Sequence, residues 1–537
     1  MKKNKVIVVG AGMSGLTAAA FLAKEGVPVT LIEKEEQVGG LVCSFEREGY
    51  IFDGGLRAVE SSGLIITMIN DLKLDVELIK STVSLGIGDT ILPMKETDDI
   101  KNFEKLLKEL YPKNSDEIDT IMNDIYDVMK YTMVLLGGDA PVYQEDGSKE
   151  KPSVKAMLGW LKELIKAIPK LRKYRISVEE HLANITKNQA LIDIIIQHFF
   201  DGTPASFALS YFLFYFDYNY PRGGTGALTQ EIEKYILQHS GTVIKNTKIT
   251  SLDAEKKNII DESGKAYEYD YLIWTADNKY LYSIVDAEKI KNKKNQKRLI
   301  EKQNSLKGLR GAESVLSVYL GVNKDPSYFA SKTTEHIFYT PDTRGLSLAK
   351  PAEMKKWIQE NSPNSSQEQK TYIKAYLKNF YYYNTFEVSF PVLRDPKLAP
   401  EGKTGLIISL LFDYDLCKFI RDAGWYNEFK EFSEEFLIAL LDKFLFPGIK
   451  NDIELQFSAT PLTIQDYSGT TDGAIVGWSF MNKHMPVPNS MMSMPQAINT
   501  AIPDVYQAGQ WSYSPAGLPI SLLSGKIVAN KIKNKVK

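Results

Sequence analysis

The stretch Val6-Ile7-Val8-Val9-Gly10-Ala11-Gly12-Met13-Ser14-Gly15, with Val29-Thr30-Leu31-Ile32-Glu33 a short helix later, decides how this chain folds. Four β-branched residues in a row suit a parallel strand buried on both faces. The glycines interrupt it, a small-residue helix follows over 16–24, and a second apolar strand ends on Glu33. A strand, a GxGxxG turn, a helix, a strand and an acidic residue ~20 residues on form the unit that holds a dinucleotide. Gly10 permits the tight turn, Gly12 lets the backbone approach a pyrophosphate, and Gly15 lets helix and strand pack closely, with Ser14 inside the turn. The helix N-terminus then faces the phosphates, and Glu33 can accept hydrogen bonds from ribose hydroxyls. A second reading exists, because Lys2, Lys3 and Lys5 ahead of the uncharged stretch 6–23 imitate a signal peptide or a membrane span. The glycine spacing and the second strand in register favour the dinucleotide unit.

At 537 residues the chain exceeds what one hydrophobic core usually supports, so two domains are expected. Its 44% hydrophobic and 25% charged residues exclude a disordered or collagen-like chain. With 65 Lys and Arg against 67 Asp and Glu, the net charge of -2 gives no general reason to expect nucleic acid. The two cysteines, Cys43 and Cys417, lie far apart with no CxxC, so neither disulfide redox chemistry nor structural zinc is expected, and no metal site. Reduced thiols suggest a cytoplasmic protein.

Downstream motifs narrow the cofactor. Gly39-Gly40 follows Glu33 by six residues and leads to Gly49-Tyr50-Ile51-Phe52-Asp53-Gly54-Gly55. Further on come Tyr220-Pro221-Arg222-Gly223-Gly224-Thr225-Gly226-Ala227-Leu228, an expected strand over 242–252, another over 267–275 ending in Ala276-Asp277, and Phe390-Pro391-Val392-Leu393-Arg394-Asp395-Pro396. The series closes on Val505-Tyr506-Gln507-Ala508-Gly509-Gln510-Trp511, Gly517-Leu518-Pro519 and Ser524-Gly525-Lys526. In this order the segments resemble the phytoene desaturase, carotenoid isomerase and retinol saturase group of the flavin amine-oxidase superfamily. The resemblance implies an α/β chain whose Rossmann-like FAD-binding domain, of the glutathione-reductase type, is interleaved with an α+β substrate domain. It implies FAD contacts from Gly39, Gly40 and Gly55, from Ile249 through its backbone, and from Ala276, Gly509 and Gln510. Many members carry Arg where this chain has Leu41, which removes an expected phosphate contact.

Pro519 suits a first helical position, and the positive end of a helix over 519–533 suits the charge of a reduced flavin. The N–H groups of Leu518 and Ile520 are the candidate donors there. Arg57 reads either as a group near the flavin or as a surface charge, and Arg57 and Trp478 are the candidates for a catalytic role. No second GxGxxG follows a strand, so no separate nicotinamide domain is indicated, and no HExxH, P-loop or GxSxG appears. Of five histidines, His181, His198 and His239 read as packing or surface residues, while His336 and His484 fall in the expected substrate half.

The FAD-binding stretches are placed at 1–70, 215–290 and 490–537, leaving 71–214 and 291–489 for the substrate domain. Helices are expected over 102–111, 116–136 and 179–200. Along 153–175, Met157, Leu158, Trp160, Leu161, Leu164, Ile165 and Ile168 share one helical face opposite Lys155, Lys162 and Lys166. This basic amphipathic pattern suits either an anionic membrane surface or a core-facing helix with a solvated basic side. Association would then be peripheral, on the inner face of the membrane. Aromatic runs over 207–220 and 380–390, with Trp478 and Phe480, suit the lining of an apolar site or ordinary core. The expected function is that of an FAD-dependent oxidoreductase acting on C–C and C=C bonds of a long apolar polyene, carotenoid or retinoid-like, by desaturation, saturation or isomerisation, with the electron partner open. Flavin amine oxidation and a non-enzymatic prenyl-lipid carrier of the Rab escort type are the alternatives.

Overall fold

The computed structural model describes residues 5–60, 63–136, 169–170, 172–196 and 198–536. Most of the basic amphipathic stretch 153–175 lies outside them. Five parallel strands form the first sheet, in the order Thr242–Ile244, Val29–Ile32, Val6–Val9, Tyr271–Trp274 and Val505–Gln507. Strand alternation sorts the side chains of Val6–Val9 between two layers. Val6 and Val8 pack with the helices Met13–Lys24, Thr225–Gln238 and Leu518–Val536. Ile7 and Val9 face Leu252 and Ile259 of a three-stranded antiparallel sheet, Ile249–Asp253, Asn258–Asp261 and Ala266–Glu268. Burial on both faces explains the unbroken apolar run.

A second, seven-stranded sheet runs Ile453–Ala459, Ser314–Val322, Thr404–Phe412, Phe386–Ser389, His336–Thr340, Val83–Ile87 and Thr90–Met94. All its pairs are antiparallel except His336–Thr340 with Val83–Ile87. One face buries Leu316, Val318, Leu406, Ile408, Ile337 and Val388 against the helices Pro351–Glu360, Gln367–Tyr383, Tyr414–Asp422 and Tyr426–Phe444. The opposite face carries a register row, Ser317, Ser409, Glu387 and Phe338, across four neighbouring strands. A third core, built on Ser115–Leu136, Gln189–Ile196 and Ala205–Phe214, closes over that face through Phe338.

Several expected elements are divided. The helix expected over 179–200 is two, Val178–Ala183 and Gln189–Ile196, because Thr186 and Asn188 bond the intervening backbone and its neighbours. The strand expected over 242–252 splits into Thr242–Ile244 and Ile249–Asp253, with Asn246 at φ 51° turning the chain from one sheet to another. The strand expected over 267–275 splits likewise into Ala266–Glu268 and Tyr271–Trp274. Among the described residues no helix is long and apolar enough to cross a membrane, and no cluster of metal ligands occurs.

The helices Met13–Lys24 and Leu518–Val536 touch almost backbone to backbone. A Cβ on Gly525 would stand 2.6 Å from the Ser14 carbonyl oxygen and 3.0 Å from Thr17 Cβ. Gly525→Val is therefore expected to cost about 1–3 kcal/mol of stability by overpacking. Gly63→Ala, whose Cβ meets nothing, should stay within about 0.5 kcal/mol. Denaturant unfolding of the two variants checks this.

Candidate functional site

A cavity of about 1380 Å³ opens at the carboxyl ends of the parallel strands and runs to the polar face of the seven-stranded sheet. That volume exceeds the ~300–1,000 Å³ usual for one small ligand, and it has room for a dinucleotide together with a second molecule. Its first half is walled by turns. The helix Met13–Lys24 starts at Gly12 with no side-chain cap, so its first N–H groups are left for a ligand. Gly10 takes φ 99°, where a side chain is strained, and a Cβ there would meet Thr275 Oγ1 at 2.9 Å. A Cβ on Gly12 would meet no protein atom within 4 Å, so the space left by its missing side chain belongs to the cavity. The paired-glycine turn lies alongside, with Gly39 N–H donating to the Ala11 carbonyl at 2.8 Å. Glu33 accepts from the Ala11 N–H at 2.6 Å and from the Glu35 N–H at 3.0 Å, and burial pushes its pKa up, toward the neutral form.

Gly10, Gly12, Ser14, Glu33, Gly39, Gly40, Gly55, Ile249, Ala276, Gln510, Leu518 and Ile520 all border this one cavity. Two expected contacts do not. Gly15 is spent on packing, since its Cβ would lie 1.9 Å from the Gly10 carbonyl oxygen. Gly509 lets its segment pass Ser14, whose Oγ would be 2.7 Å from a Cβ there. Trp478, expected as a candidate for catalysis, stands behind the wall. It is 2% exposed, its Nε1–H donates to the Trp511 carbonyl at 3.1 Å, and its ring meets the Trp511 ring edge-on.

Arg57 is a buried wall residue rather than a surface charge. Its guanidinium donates to the Asp53 carbonyl and, at 3.1 Å each, to Ser317 and Ser409. Burial opposes its charge, but Tyr319, Glu387 and Asp53 outweigh that and hold it protonated. Asp53 explains why the FDxG and GGTGAL segments occur together. Its Oδ1 accepts from the Thr225 N–H at 2.9 Å and the Thr225 hydroxyl at 2.8 Å, and its Oδ2 from the Tyr220 hydroxyl at 2.7 Å. One carboxylate thus fixes the start of the helix Thr225–Gln238 against the cofactor half.

The second half of the cavity has aromatic and aliphatic walls, including Phe207, Phe214, Phe338, Leu411, Ile464 and Phe480. From the run 380–390, Thr385 and Glu387 reach the cavity, whereas Phe380, Tyr381, Phe386 and Phe390 are core. Sequence reading missed Glu60, Glu387 and His198 on this wall. The available signal was a charged or polar residue inside an apolar strand, as Glu387 lies between Phe386 and Val388. Burial pushes Glu387 up, yet His336, Arg57 and Arg394 together bring it below the usual carboxylate range. His336 Nε2 stands 3.0 Å from Glu387 Oε1, off the line of a good hydrogen bond, and Arg394 reaches His336 Nδ1 at 3.2 Å. Burial pulls His198 down to about 4, so it is neutral and shares a 2.8 Å hydrogen bond with the Tyr215 hydroxyl. His181, by contrast, sits 2.8 Å from Asp124 away from the cavity, and His484 is exposed.

The model of the flavin containing amine oxidoreductase family matches residues 13–378. The chain belongs to that family. Its cofactor is FAD and it is an oxidoreductase. It is 22% identical to a zebrafish (Danio rerio) protein named inactive all-trans-retinol 13,14-reductase, over 99% of this chain and 86% of the relative. It is 21% identical to the lycopene-forming phytoene desaturase of Pantoea ananas, over 97% of each chain, and 24% identical to the carrot (Daucus carota) prolycopene isomerase, over 99% of this chain and 80% of the relative. Among solved structures, putrescine oxidase bound to putrescine superposes with a TM-score of 0.60 over 98% of each chain at 13% identity. An oxidoreductase from Methanosarcina mazei gives 0.57 over 98% of this chain and 100% of that one, also at 13%. Both show the fold.

The residues present fit FAD. An uncapped helix end, the vacancy at Gly12 and the Glu33 carboxyl would take its pyrophosphate and ribose, and the start of the helix Leu518–Val536 would face the flavin end. Gly12→Val is accordingly expected to leave the apoprotein within about 1 kcal/mol of wild type, because Gly12 has ordinary backbone angles and its Cβ finds no protein atom. It should weaken flavin binding by about tenfold or more. Calorimetric titration of apoprotein with FAD, beside thermal unfolding, reads both effects.

Proposed function

We propose that this chain carries out FAD-dependent hydride transfer at C–C or C=C bonds of a long apolar polyene of the carotenoid or retinoid kind. The observation that carries the reading is the single cavity, which joins the glycine turns of the cofactor half to aromatic and aliphatic walls. The names of two relatives, a phytoene desaturase and a prolycopene isomerase, agree with such a substrate, and a third is named an inactive retinol reductase. When bound, FAD supplies the hydride acceptor or donor. The chain supplies enclosure. Phe207, Phe214, Phe338 and Leu411 exclude water and hold an extended chain in place, and alignment of this kind contributes much of the rate for reactions with little charge development.

Amine oxidation is the second reading, and carboxylates in the cavity are what favour it. A bound ammonium needs an uncompensated negative charge, however; that of Glu387 is offset by Arg57 and Arg394, and burial shifts Glu60 toward its neutral form. A prenyl-lipid carrier would not need the uncapped helix end or the vacancy at Gly12. Peripheral contact with an anionic membrane through the basic stretch 153–175 would give a water-insoluble substrate a short route to the protein.

Purified protein is expected to be yellow. Under anaerobic conditions its flavin absorbance should change with phytoene, or after chemical reduction with all-trans-retinol, and should not change with putrescine or benzylamine. Bleaching by the amines alone would overturn the polyene reading. Neutralising Lys155, Lys162 and Lys166 together should lower retention on phosphatidylserine vesicles at least several-fold while leaving the flavin spectrum unchanged.

A further inference from the structure

The polar end of an otherwise apolar cavity needs an explanation, because an uncharged polyene offers nothing for buried charges to bind. Glu60 follows the Gly54-Gly55 turn by five residues, at the end of the short strand Val59–Glu60. It lies deep within the protein, yet part of its surface stays accessible because it fronts the cavity. Its Oε1 accepts from the Tyr218 hydroxyl at 3.0 Å, and the Tyr218 hydroxyl lies 2.8 Å from that of Tyr211, another wall residue. Glu387, a second carboxyl beside the aromatic part of the cavity, is tied to His336, Arg57 and Arg394, so its charge is fixed. These two carboxyls thus have unlike surroundings, the arrangement that divides acid from base roles.

We infer that Glu60 is the catalytic acid–base of this site, exchanging with a polyene carbon the proton that accompanies hydride transfer, with Tyr218 and Tyr211 as its hydrogen-bonded relay. This rests on the polyene reading above. In the direction of desaturation, one C–H gives its hydride, and so two electrons, to the oxidised flavin. The neighbouring C–H gives its proton to the Glu60 carboxylate, and the C=C bond forms between the two carbons. In the direction of saturation, with the hydride that a reduced flavin would supply, protonated Glu60 returns the proton and the C=C bond is consumed. Both are two-electron exchanges between substrate and flavin, and the proton count closes on Glu60.

The surroundings suit both directions near neutrality. Burial pushes the Glu60 carboxyl up to about 7, with the hydrogen bonds from Tyr211 and Tyr218 opposing and the charges of Glu387 and Asp217 adding. Burial holds the Tyr211 and Tyr218 phenols well above their ordinary range, so they donate without ionising; Tyr215, raised likewise, bonds His198 instead.

The test uses flavin-loaded protein and the member of the phytoene and retinol pair that alters its spectrum. Wild type is expected to show a single-turnover rate with one inflection near pH 7. Glu60→Gln should keep its flavin spectrum and its binding of the polyene, lose about 100-fold in rate and lose the inflection. Tyr218→Phe removes a hydrogen bond that favours the carboxylate, so it should move the inflection to higher pH. A Glu60→Gln rate within about twofold of wild type, with the inflection intact, would overturn the inference. If no polyene alters the flavin spectrum, the functional reading fails on its own account, and infrared titration of the apoprotein still bears on Glu60. Burial also raises Glu313 to about 7, so the readout is the difference between wild type and Glu60→Gln: it should contain a protonated-carboxyl band that fades with a midpoint near pH 7, and its absence from the difference overturns the assignment.

Discussion

The first turn of the helix Met13–Lys24 is where the structure is tightest, and the other elements are placed by it. Gly15 must have no side chain, because the Gly10 carbonyl oxygen occupies that position. The contact brings the helix end over the carboxyl edge of the sheet. Thr275 Oγ1 donates to the Val9 and Gly10 carbonyls at 3.0 and 2.7 Å, which joins the strand Tyr271–Trp274 to the same turn. Gly509 and Gly525 bring the last stretch of the chain against Ser14. Three stretches separated by hundreds of residues therefore converge on one helical turn, and no side chain caps it. A helix end so crowded by backbone, yet open on the cavity side, has unmet N–H groups where a diphosphate would lie.

Around that turn, backbone does the binding; in the far half of the cavity, side chains set the field. Two arginines are buried nearby, Arg57 on the cavity wall and Arg394 off it, and isolated buried charges are costly. Each is met several times over. Arg57 reaches Asp53, Ser317 and Ser409, while Arg394 reaches Ser81, Ser389 and His336. The serines supply neutral acceptors, so the guanidinium charges stay available to Glu387. Glu60 lies outside this set of contacts, bonded to phenols instead. Its contrast with Glu387 arises from which neighbours carry charge rather than from depth.

Legibility in the sequence followed the range of the interactions concerned. The βαβ unit is local, and its strands Val6–Val9 and Val29–Ile32 lie where the apolar runs are. The motif segments mark turns whose backbone geometry restricts residue type, as at Gly10, Gly39 and Gly517, all at positive φ. Gly12 is read from its surroundings, since its missing side chain opens the wall. Boundaries failed where a polar residue bonds the backbone between two apolar runs: Thr186 and Asn188 divide one expected helix, and Asn246 turns an expected strand into a second sheet. The polar row of the substrate half was hidden for another reason. Ser317, Ser409 and Glu387 come from three strands and become neighbours only through register. Trp478 misled because an aromatic residue in the expected substrate half suits a wall as well as the layer behind it.

This division of labour bears on how the site can change. On the cofactor side, Gly10, Gly15 and Gly39 cannot accept a side chain without moving backbone, since the atoms they would meet include main-chain oxygens and nitrogens. On the substrate side, Phe207 and Phe214 of the helix Ala205–Phe214, with Phe338 and Leu411 of two different strands, line open volume. A change in the size of any of these alters the cavity without disturbing the turns that would hold the cofactor. The acid–base carboxyl lies between these regimes. Glu60 leaves the Gly54-Gly55 turn by only five residues, and so stays tied to the cofactor half, but its environment comes from Tyr211 and Tyr218 of the substrate half. Its distance from the turn is thus constrained by the cofactor side, while its proton affinity remains free to follow the walls.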